Sequence, residues 1–226
     1  MTKLPETVEP FRVVAIDGGA ASGKSSTSRR LARLRHWLHV DTGSHYRAVA
    51  LAALHAGLEP LDSPGLRQFI ASLSLSSHIE GNESLICFNG GPPPRPEDLR
   101  SEPVNQAVSP LSAIPFVREA VKAYQREQVE LARQHGFNGI VMDGRDIGTV
   151  ILPQADLKVF LHADVETRQR RREAEGAADT IKDRDKRDSS RATAPLKPAS
   201  DAVLIDNSNL SLEEVVQKVL SLLPES

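Results

Sequence analysis

Five short apolar segments recur along the chain and are separated by helical patterns. Each is rich in Val, Ile or Leu without strict alternation of apolar and polar positions, which is typical of strands buried on both faces. The segments are RVVAID (12–17), WLHVD (37–41), GIVMD (139–143), LKVFLHA (157–163) and DAVLID (201–206). We therefore predict a strand at each of these positions.

Between these segments, apolar positions recur at helical spacing. The predicted helices cover residues 24–35, 44–56 and 115–135. A last helix has a clear start, because Ser211 and Glu214 have the spacing of a capping box. Strands that alternate with helices imply right-handed crossovers and a parallel sheet. The pattern thus predicts an α/β fold with a five-stranded parallel sheet and helices on both of its faces.

Residues 60–105 interrupt this alternation. They contain β-like runs on either side of Gly81 and Asn82, followed by a Gly-Gly-Pro-Pro-Pro turn. Such features favour a small insert with two or three antiparallel strands of its own. We therefore divide the chain into a core, residues 11–59 and 106–223, and an insert, residues 60–105.

Composition excludes several classes of protein. The chain has 226 residues, of which 39% are hydrophobic and 26% are charged, as in ordinary soluble proteins. A net charge of −2 does not favour nucleic acid as a partner, and there is no run of about 18 apolar residues that would span a membrane. With a single cysteine, Cys87, no internal disulfide can form, which fits the cytoplasm. We expect a cytoplasmic monomer that binds neither nucleic acid nor membrane.

A phosphate-binding motif follows the first predicted strand. Gly18 and Gly23 stand five positions apart and a lysine and a serine follow, which matches the pattern G-x-x-x-x-G-K-[ST] in full. The glycines let successive backbone N–H groups point into one concavity, to which the next helix adds its positive end. Lys24 can then reach the outer phosphates, and the Ser25 hydroxyl can ligate Mg²⁺. We predict that a nucleoside triphosphate binds to Gly18, Gly19, Ala20, Ala21, Ser22, Gly23, Lys24, Ser25 and Ser26.

A phosphate loop alone does not separate switches, motors and kinases. A GTP switch needs an Asn-Lys-x-Asp motif, which this sequence lacks, and a motor ATPase usually needs a longer chain. The sequence offers no obvious catalytic base, which favours a phosphate acceptor, because a monophosphate with a second pKa of about 6 is largely a dianion at pH 7. We therefore predict a nucleoside monophosphate kinase. A kinase for a small metabolite and a nucleotide-dependent regulatory switch remain as alternatives.

A second anion site is predicted at the carboxyl ends of the strands, where ligands bind in open parallel sheets. Arg47 lies on the helix that begins beside the second strand, and the third strand ends in the sequence DGRD. Asp143, at the end of that strand, suits Mg²⁺ together with Ser25. The same sequence supplies Arg145 and Asp146, for which the alternative is a surface salt bridge.

The sequence KDRDKRDSSRATAPL, residues 182–196, is strongly charged. One interpretation is an exposed helix with many ion pairs. The other, which we favour because the hinge-like segment EAEGAADT (173–180) precedes this run, is that the run belongs to a lid at about residues 165–192, which closes over the triphosphate. Its arginines would face the charge that spreads over three phosphoryl oxygens during transfer, and closure would exclude water.

Several stretches together resemble the bacterial cytidylate kinase family. They are IDGGAASGKSS, DTGSHYRAVALAAL, VREAVKAYQRE, VMDGRDIGTVILPQADLKVFLHA and RDKRDSSRATAPLKPASDAVLID, which cover most of residues 11–223 in order. The resemblance implies a core of the phosphate-loop NTPase type, an insert that binds the monophosphate and a mobile lid. It also implies ATP-dependent phosphorylation of CMP and dCMP. The alternative is a kinase for UMP, AMP or a small metabolite.

The resemblance further implies roles for individual residues. Ser109, Arg118 and Asp146 correspond to positions that contact the cytosine, Arg184 and Asp188 to sugar contacts, and Arg47, Arg145 and Arg191 to phosphate contacts. An arginine can donate to cytosine O2 or N3, and an aspartate can accept from the exocyclic amine. The predicted catalytic residues are Lys24, Arg145, Arg184 and Arg191.

Overall fold

A seven-stranded sheet forms the centre of the structure, a computed structural model that describes residues 10–174 and 194–223. Its strands are β1 (Arg12–Gly18), β2 (Leu38–Asp41), β3 (Leu75–Glu80), β4 (Glu83–Phe88), β5 (Gly139–Gly144), β6 (Leu157–His162) and β7 (Val203–Asp206). Their spatial order is β3-β4-β2-β5-β1-β6-β7. Neighbours from β4 to β7 run parallel, and β3 pairs antiparallel with β4. Each of the five predicted strands is present, with ends shifted by one or two residues.

Helices follow most strands. They are α1 (Lys24–Arg35), α2 (Thr42–His55), α3 (Pro64–Ser72), α4 (Pro96–Leu99), α5 (Glu102–Leu111), α6 (Pro115–Gln134), α7 (Val165–Ala174) and α8 (Leu212–Ser221), and a short π-helix spans Ile147–Ile151. The side chain of Asp41 caps the start of α2 by accepting hydrogen bonds from two backbone N–H groups. The predicted capping box of Ser211 and Glu214 is confirmed at the start of α8. Within the described ranges, no helix is long and apolar enough to cross a membrane.

The predicted number of strands in the sheet was wrong. The hairpin of β3 and β4 extends the sheet from five strands to seven, because Glu83 on β4 pairs with His39 on β2. The turn of the hairpin is also tied to β2. The backbone N–H of His39 donates to the carbonyl of Asn82 at 2.7 Å, and the Asn82 side-chain amide donates to the carbonyl of Trp37 at 2.9 Å. These contacts join residues that are distant in sequence, so no local sequence pattern predicts them.

The central strands β1, β2 and β5 are buried on both faces, whereas the edge strand β7 is largely exposed. Alternate residues of β1 point to opposite sides. Val14 and Ile16 pack in an apolar cluster with residues of α1 and α8, whereas Ala15 packs in a second cluster with residues of α6 and the π-helix. A third apolar cluster joins α2, α3 and α6 beside the hairpin. This burial on both faces explains why the strands lack strict apolar–polar alternation.

The carboxyl ends of three adjacent strands lie at one edge of the sheet. In the register of the parallel strands, Asp143 of β5 has Asp41 of β2 on one side and Ile16 of β1 on the other. The phosphate-binding motif follows β1, helix α2 follows β2, and the π-helix follows β5. Three segments that the sequence assigns to ligand binding therefore start from the same edge.

Candidate active site

The phosphate loop connects β1 to α1 in a conformation that depends on its glycines. A Cβ atom on Gly18 would lie 2.2 Å from the carbonyl oxygen of Leu161, so a larger residue does not fit. Gly23 has a φ of 86°, in the left-handed region that favours glycine. No described side chain caps the first turn of α1, so its backbone N–H groups are left to bind an anion. The loop therefore offers the N–H groups and the space that a phosphate chain needs.

Other residues of the loop add a buried hydroxyl and a second left-handed position. Ala21 has a φ of 53°. The hydroxyl of Ser22 is buried and has no hydrogen-bond partner in the part of the chain that the structure describes. A buried polar atom without a partner costs free energy unless a ligand or water satisfies it. Ser26 is exposed on the first turn of α1.

The side chain of Lys24 is buried against the loop. Only 8% of the residue is exposed, and its Nζ donates a hydrogen bond to the carbonyl of Gly19 at 2.8 Å. Burial, and then the nearby charge of Arg145, lower the pKa of Lys24 to about 7. Bound phosphates would favour the charged ammonium, because an opposite charge at short range raises the pKa of an amine. Lys24 is thus placed to stabilise negative charge in the loop.

Asp143 joins the phosphate loop to β2. One carboxylate oxygen, Oδ1, accepts a hydrogen bond from the Ser25 hydroxyl at 2.8 Å, and the other, Oδ2, lies 2.7 Å from Nε2 of His39. The hydroxyl of Thr42 donates to the backbone carbonyl of Asp143 at 2.7 Å. Burial opposes ionisation, but the hydrogen bond and charge of His39 outweigh it and hold the pKa of Asp143 below its usual range. Asp143 is therefore a carboxylate at neutral pH.

The donor atoms of Ser25 and Asp143 fit a magnesium ion. A hydroxyl and a carboxylate are the hard oxygen ligands that Mg²⁺ prefers, and the two side chains lie within 2.8 Å of each other. The described residues contain no group of three or more His, Cys, Asp or Glu side chains that could hold a metal. Mg²⁺ is commonly bound by one or two carboxylates together with substrate phosphates and water rather than by a protein cage.

Asp17 fixes the segment that follows β5. Its two carboxylate oxygens accept hydrogen bonds from the backbone N–H groups of Ile147 and Gly148, both at 2.8 Å. Burial raises the pKa of Asp17 to about 6, against the effect of these two hydrogen bonds. Arg145, two residues before the π-helix begins at Ile147, donates a hydrogen bond to the carbonyl of Gly18 at 2.7 Å. The start of the π-helix is thereby held against the phosphate loop.

Arg118 and Asp146 form a buried ion pair near this edge. Each is 5% exposed, and Nη2 of Arg118 donates to Oδ2 of Asp146. The Arg118 guanidinium also donates to the carbonyl of Ser112 at 3.1 Å and lies 5.4 Å from the centre of the Tyr46 ring. The structure thus brings together two of the three predicted cytosine-contacting residues. Of the two residues for which a surface salt bridge is the alternative, Arg145 contacts Gly18, and Asp146 is buried against Arg118.

Arg47 and Ser109 lie around helix α5. Arg47, on α2, donates through Nη1 to the carbonyl of Leu99 at 2.8 Å and to Oδ1 of Asn105 at 2.7 Å. Ser109 lies near the end of α5, and its carbonyl accepts a hydrogen bond from the Ser112 hydroxyl at 3.0 Å. Since the carbonyl of Ser112 is also the acceptor for Arg118, Ser109 and Arg118 are connected through this one residue.

Three predicted residues lie outside the described residues: Arg184, Asp188 and Arg191. Of the predicted lid at residues 165–192, the structure describes helix α7, Val165–Ala174. The contacts proposed for the lid arginines therefore stay predictions.

Sequence reasoning missed two side chains that contact the phosphate loop, Arg168 and Asn207, and a third, Arg171, that contacts Asn207. Arg168 donates to the carbonyl of Ala20 at 3.3 Å. Asn207 donates to the carbonyl of Ser22 at 2.8 Å and accepts from Arg171 at 3.2 Å. The spacing of the two arginines on α7 was a usable signal, since residues three apart share a helix face. For Asn207, the signal was its position directly after β7, a strand that runs parallel to its neighbour β6 in the same sheet.

Known proteins match nearly the whole chain. The family model described as cytidylate kinase matches residues 14–225. A cytidylate kinase from Pelotomaculum thermopropionicum is 42% identical over 224 residues, which cover 93% of this chain and 95% of that protein. One from Mycobacterium leprae is 41% identical, over 94% of this chain and 96% of that protein. Among solved structures, a shikimate kinase from Acinetobacter baumannii is 12% identical, covers 95% of this chain and 93% of its own, and has a TM-score of 0.46.

Proposed function

The chain belongs to the cytidylate kinase family, and on that premise we propose that it transfers the γ-phosphoryl group of ATP to CMP and to dCMP. The products are ADP and CDP or dCDP. The observation that carries this proposal is the placement of the phosphate loop beside the buried pair of Arg118 and Asp146, which Arg145 connects through its hydrogen bond to Gly18. One part suits a triphosphate donor, and the other suits the polar edge of a base.

On the donor side, the loop N–H groups and Lys24 hold the phosphates of ATP. Ser25 and Asp143 would hold Mg²⁺, which would supply positive charge to the phosphates when bound. Arg145 acts at the transferred group, together with Arg184 and Arg191 of the lid. Guanidinium groups suit this task, because they are always charged and meet phosphate oxygens with two parallel donors.

On the acceptor side, Arg118 and Asp146 read the base, with Ser109 as a further contact. Cytosine presents an exocyclic amine and a bare N3, which pair with an aspartate acceptor and an arginine donor. Uracil presents O4 and N3–H at the same edge, so an acceptor would face an acceptor and a donor would face a donor. Each buried mismatch of this kind costs about 1–3 kcal/mol.

The rest of the acceptor is held by charge and needs no general base. Arg47, Arg145 and Arg191 bind the monophosphate, and Arg184 and Asp188 bind the sugar. A dianionic phosphate is already nucleophilic at pH 7, so positioning and charge neutralisation are the tasks of the protein. We further propose that residues 60–105 act as the acceptor-binding insert on the core of residues 11–59 and 106–223. Location in the cytoplasm, action as a monomer and the lack of a nucleic-acid partner stay predictions from the sequence.

A coupled assay of ADP release tests the proposal on the full chain. The acceptors are CMP, dCMP, UMP, AMP and shikimate, each offered with ATP and Mg²⁺. We expect rapid turnover with CMP and dCMP and little with the others. Turnover with shikimate alone would favour a small-metabolite kinase, and slow hydrolysis that no acceptor accelerates would favour a regulatory switch.

A further inference from the structure

His39 is a polar residue between two buried apolar residues of β2, Leu38 and Val40. It lies in the middle of β2 and is 1% exposed, so its imidazole ring cannot exchange hydrogen bonds with bulk water. Its Nε2 lies 2.7 Å from Oδ2 of Asp143, and its Nδ1 lies 3.9 Å from Oε2 of Glu83 on β4. A buried side chain with carboxylates on both sides has a defined orientation. None of the roles proposed above uses this histidine.

Glu83 is itself held in place. Its carboxylate lies 3.3 Å from Nε of Arg29 and 3.9 Å from Nη2 of Arg33, both on α1. The backbone of Glu83 pairs with that of His39 in the sheet. Two elements of the fold, the hairpin and α1, therefore support the outer side of the imidazole ring.

The inner side of the ring determines how Asp143 is oriented. A carboxylate that is held by one oxygen can rotate about its last bond, because that torsion is broad. In this site the two oxygens have different partners: Oδ2 meets Nε2 of His39, and Oδ1 meets the Ser25 hydroxyl. Rotation would break both hydrogen bonds. Oδ1 is therefore kept on the side of the phosphate loop.

We propose that His39 is a positioning residue, which fixes the carboxylate of Asp143 for the Mg²⁺–nucleotide complex through the contact between Nε2 and Oδ2. The inference rests on the proposed function, in which Asp143 and Ser25 serve the metal. Residues that orient a metal ligand from behind change metal affinity by about 10–100-fold when they are removed. His39 acts through Asp143 and makes no contact with substrate.

The test measures binding of the ATP analogue AMPPNP by calorimetry, once with excess Mg²⁺ and once with EDTA. The wild type gives the factor by which Mg²⁺ tightens binding. In His39→Leu we expect this factor to fall about tenfold or more, with the EDTA value within about threefold of the wild type. In His39→Gln we expect most of the factor to return, since the longer amide places a donor near the position of Nε2. A purely structural role would change the two affinities equally.

A matched pair keeps the test decisive if His39→Leu does not fold. His39→Asn carries the same amide as His39→Gln but is one methylene shorter and does not reach Asp143, so only the glutamine should retain the Mg²⁺ factor. An unchanged factor in both His39→Leu and His39→Asn would overturn the inference and leave the proposed function intact. A wild type whose affinity for AMPPNP does not depend on Mg²⁺ would overturn the inference together with the assignment of Asp143 and Ser25 to the metal. Phosphorylation of CMP, measured separately, would still stand or fall on its own.

Discussion

His45 gives the clearest link between burial and a measurable pH dependence. The ring lies on the inner face of α2, where it is 0% exposed, and neither ring nitrogen has a hydrogen-bond partner among the described residues. Its ring meets the Tyr124 ring edge-on, with centroids 4.9 Å apart. Burial lowers the pKa of His45 from 6.5 to about 3. The nearby charge of Asp143 raises this pKa by a smaller amount, and that of His39 lowers it further. The histidine is thus neutral in the folded protein at any ordinary pH.

The size of the effect follows from proton linkage. The unfolded chain binds a proton at this histidine below pH 6.5, while the folded protein does not until about pH 3. Stability is therefore lost as the pH falls through 6.5, by about 1.4 kcal/mol for each pH unit. Between pH 7.5 and pH 5.0, protonation of this histidine in the unfolded chain lowers the free energy of unfolding by about 2 kcal/mol. A leucine at this position cannot bind the proton, so His45→Leu should lack this part of the pH dependence.

The assay is urea unfolding of the wild type and His45→Leu at pH 7.5 and at pH 5.0. At pH 7.5 the substitution has two opposing effects on stability. Loss of the aromatic contact destabilises the protein by about 0.5–1.5 kcal/mol. Removal of the buried ring nitrogens, which have no hydrogen-bond partner among the described residues, stabilises it by about 1–3 kcal/mol. From pH 7.5 to pH 5.0, the difference in the free energy of unfolding between the two proteins should shift by about 2 kcal/mol in favour of the variant. His78→Leu, on an exposed strand position, is the control and should show no such gain. Equal pH dependence in the wild type and His45→Leu would refute the reasoning.

Two further predictions concern the phosphate loop. Lys24→Ala should lower kcat/KM by at least about 100-fold, which corresponds to about 3 kcal/mol of activation barrier. The thermal unfolding of this variant should stay near that of the wild type. Near-normal activity in the coupled assay would remove Lys24 from the mechanism. Gly18→Ala should weaken AMPPNP binding and lower the melting temperature, because its Cβ would meet the Leu161 carbonyl at 2.2 Å. Gly57→Ala is the control, since Gly57 also has a positive φ of 69° but no atom within 4 Å of the added Cβ. Unchanged nucleotide affinity in Gly18→Ala would contradict the account of the loop.

Local patterns allowed the sequence to predict the strands of the parallel sheet and the phosphate loop. The central strands were recognisable because burial on both faces selects continuous apolar runs, and the loop was recognisable because its glycines have a fixed spacing. The contact of His39 with Asp143 was not predictable, since 104 positions separate the two residues and only the strand order brings them together. The attachment of the hairpin to β2 through Asn82 escaped prediction for the same reason.

The family resemblance predicted more of the acceptor site than the local sequence pattern did. Arg118 and Asp146 were assigned to the base from family positions, and the structure places them in one buried ion pair. Nothing in the local sequence of α6 indicates that an arginine should be buried there, because charged residues are rarely buried unless they are paired. The partner lies 28 positions away, after a strand and a turn.

The preference for CMP over UMP tests the central claim most directly. The measurement is kcat/KM for both acceptors in the wild type, Asp146→Asn and Arg47→Met. We predict a wild-type preference for CMP of about 100-fold or more, from two mismatched buried contacts with UMP. Asp146→Asn should narrow this gap, because its amide can donate to uracil O4, whereas Arg47→Met should weaken both acceptors equally, since they share the phosphate. An Asp146→Asn variant that keeps the full preference for CMP would contradict the account and leave Asp146 as a structural partner of Arg118.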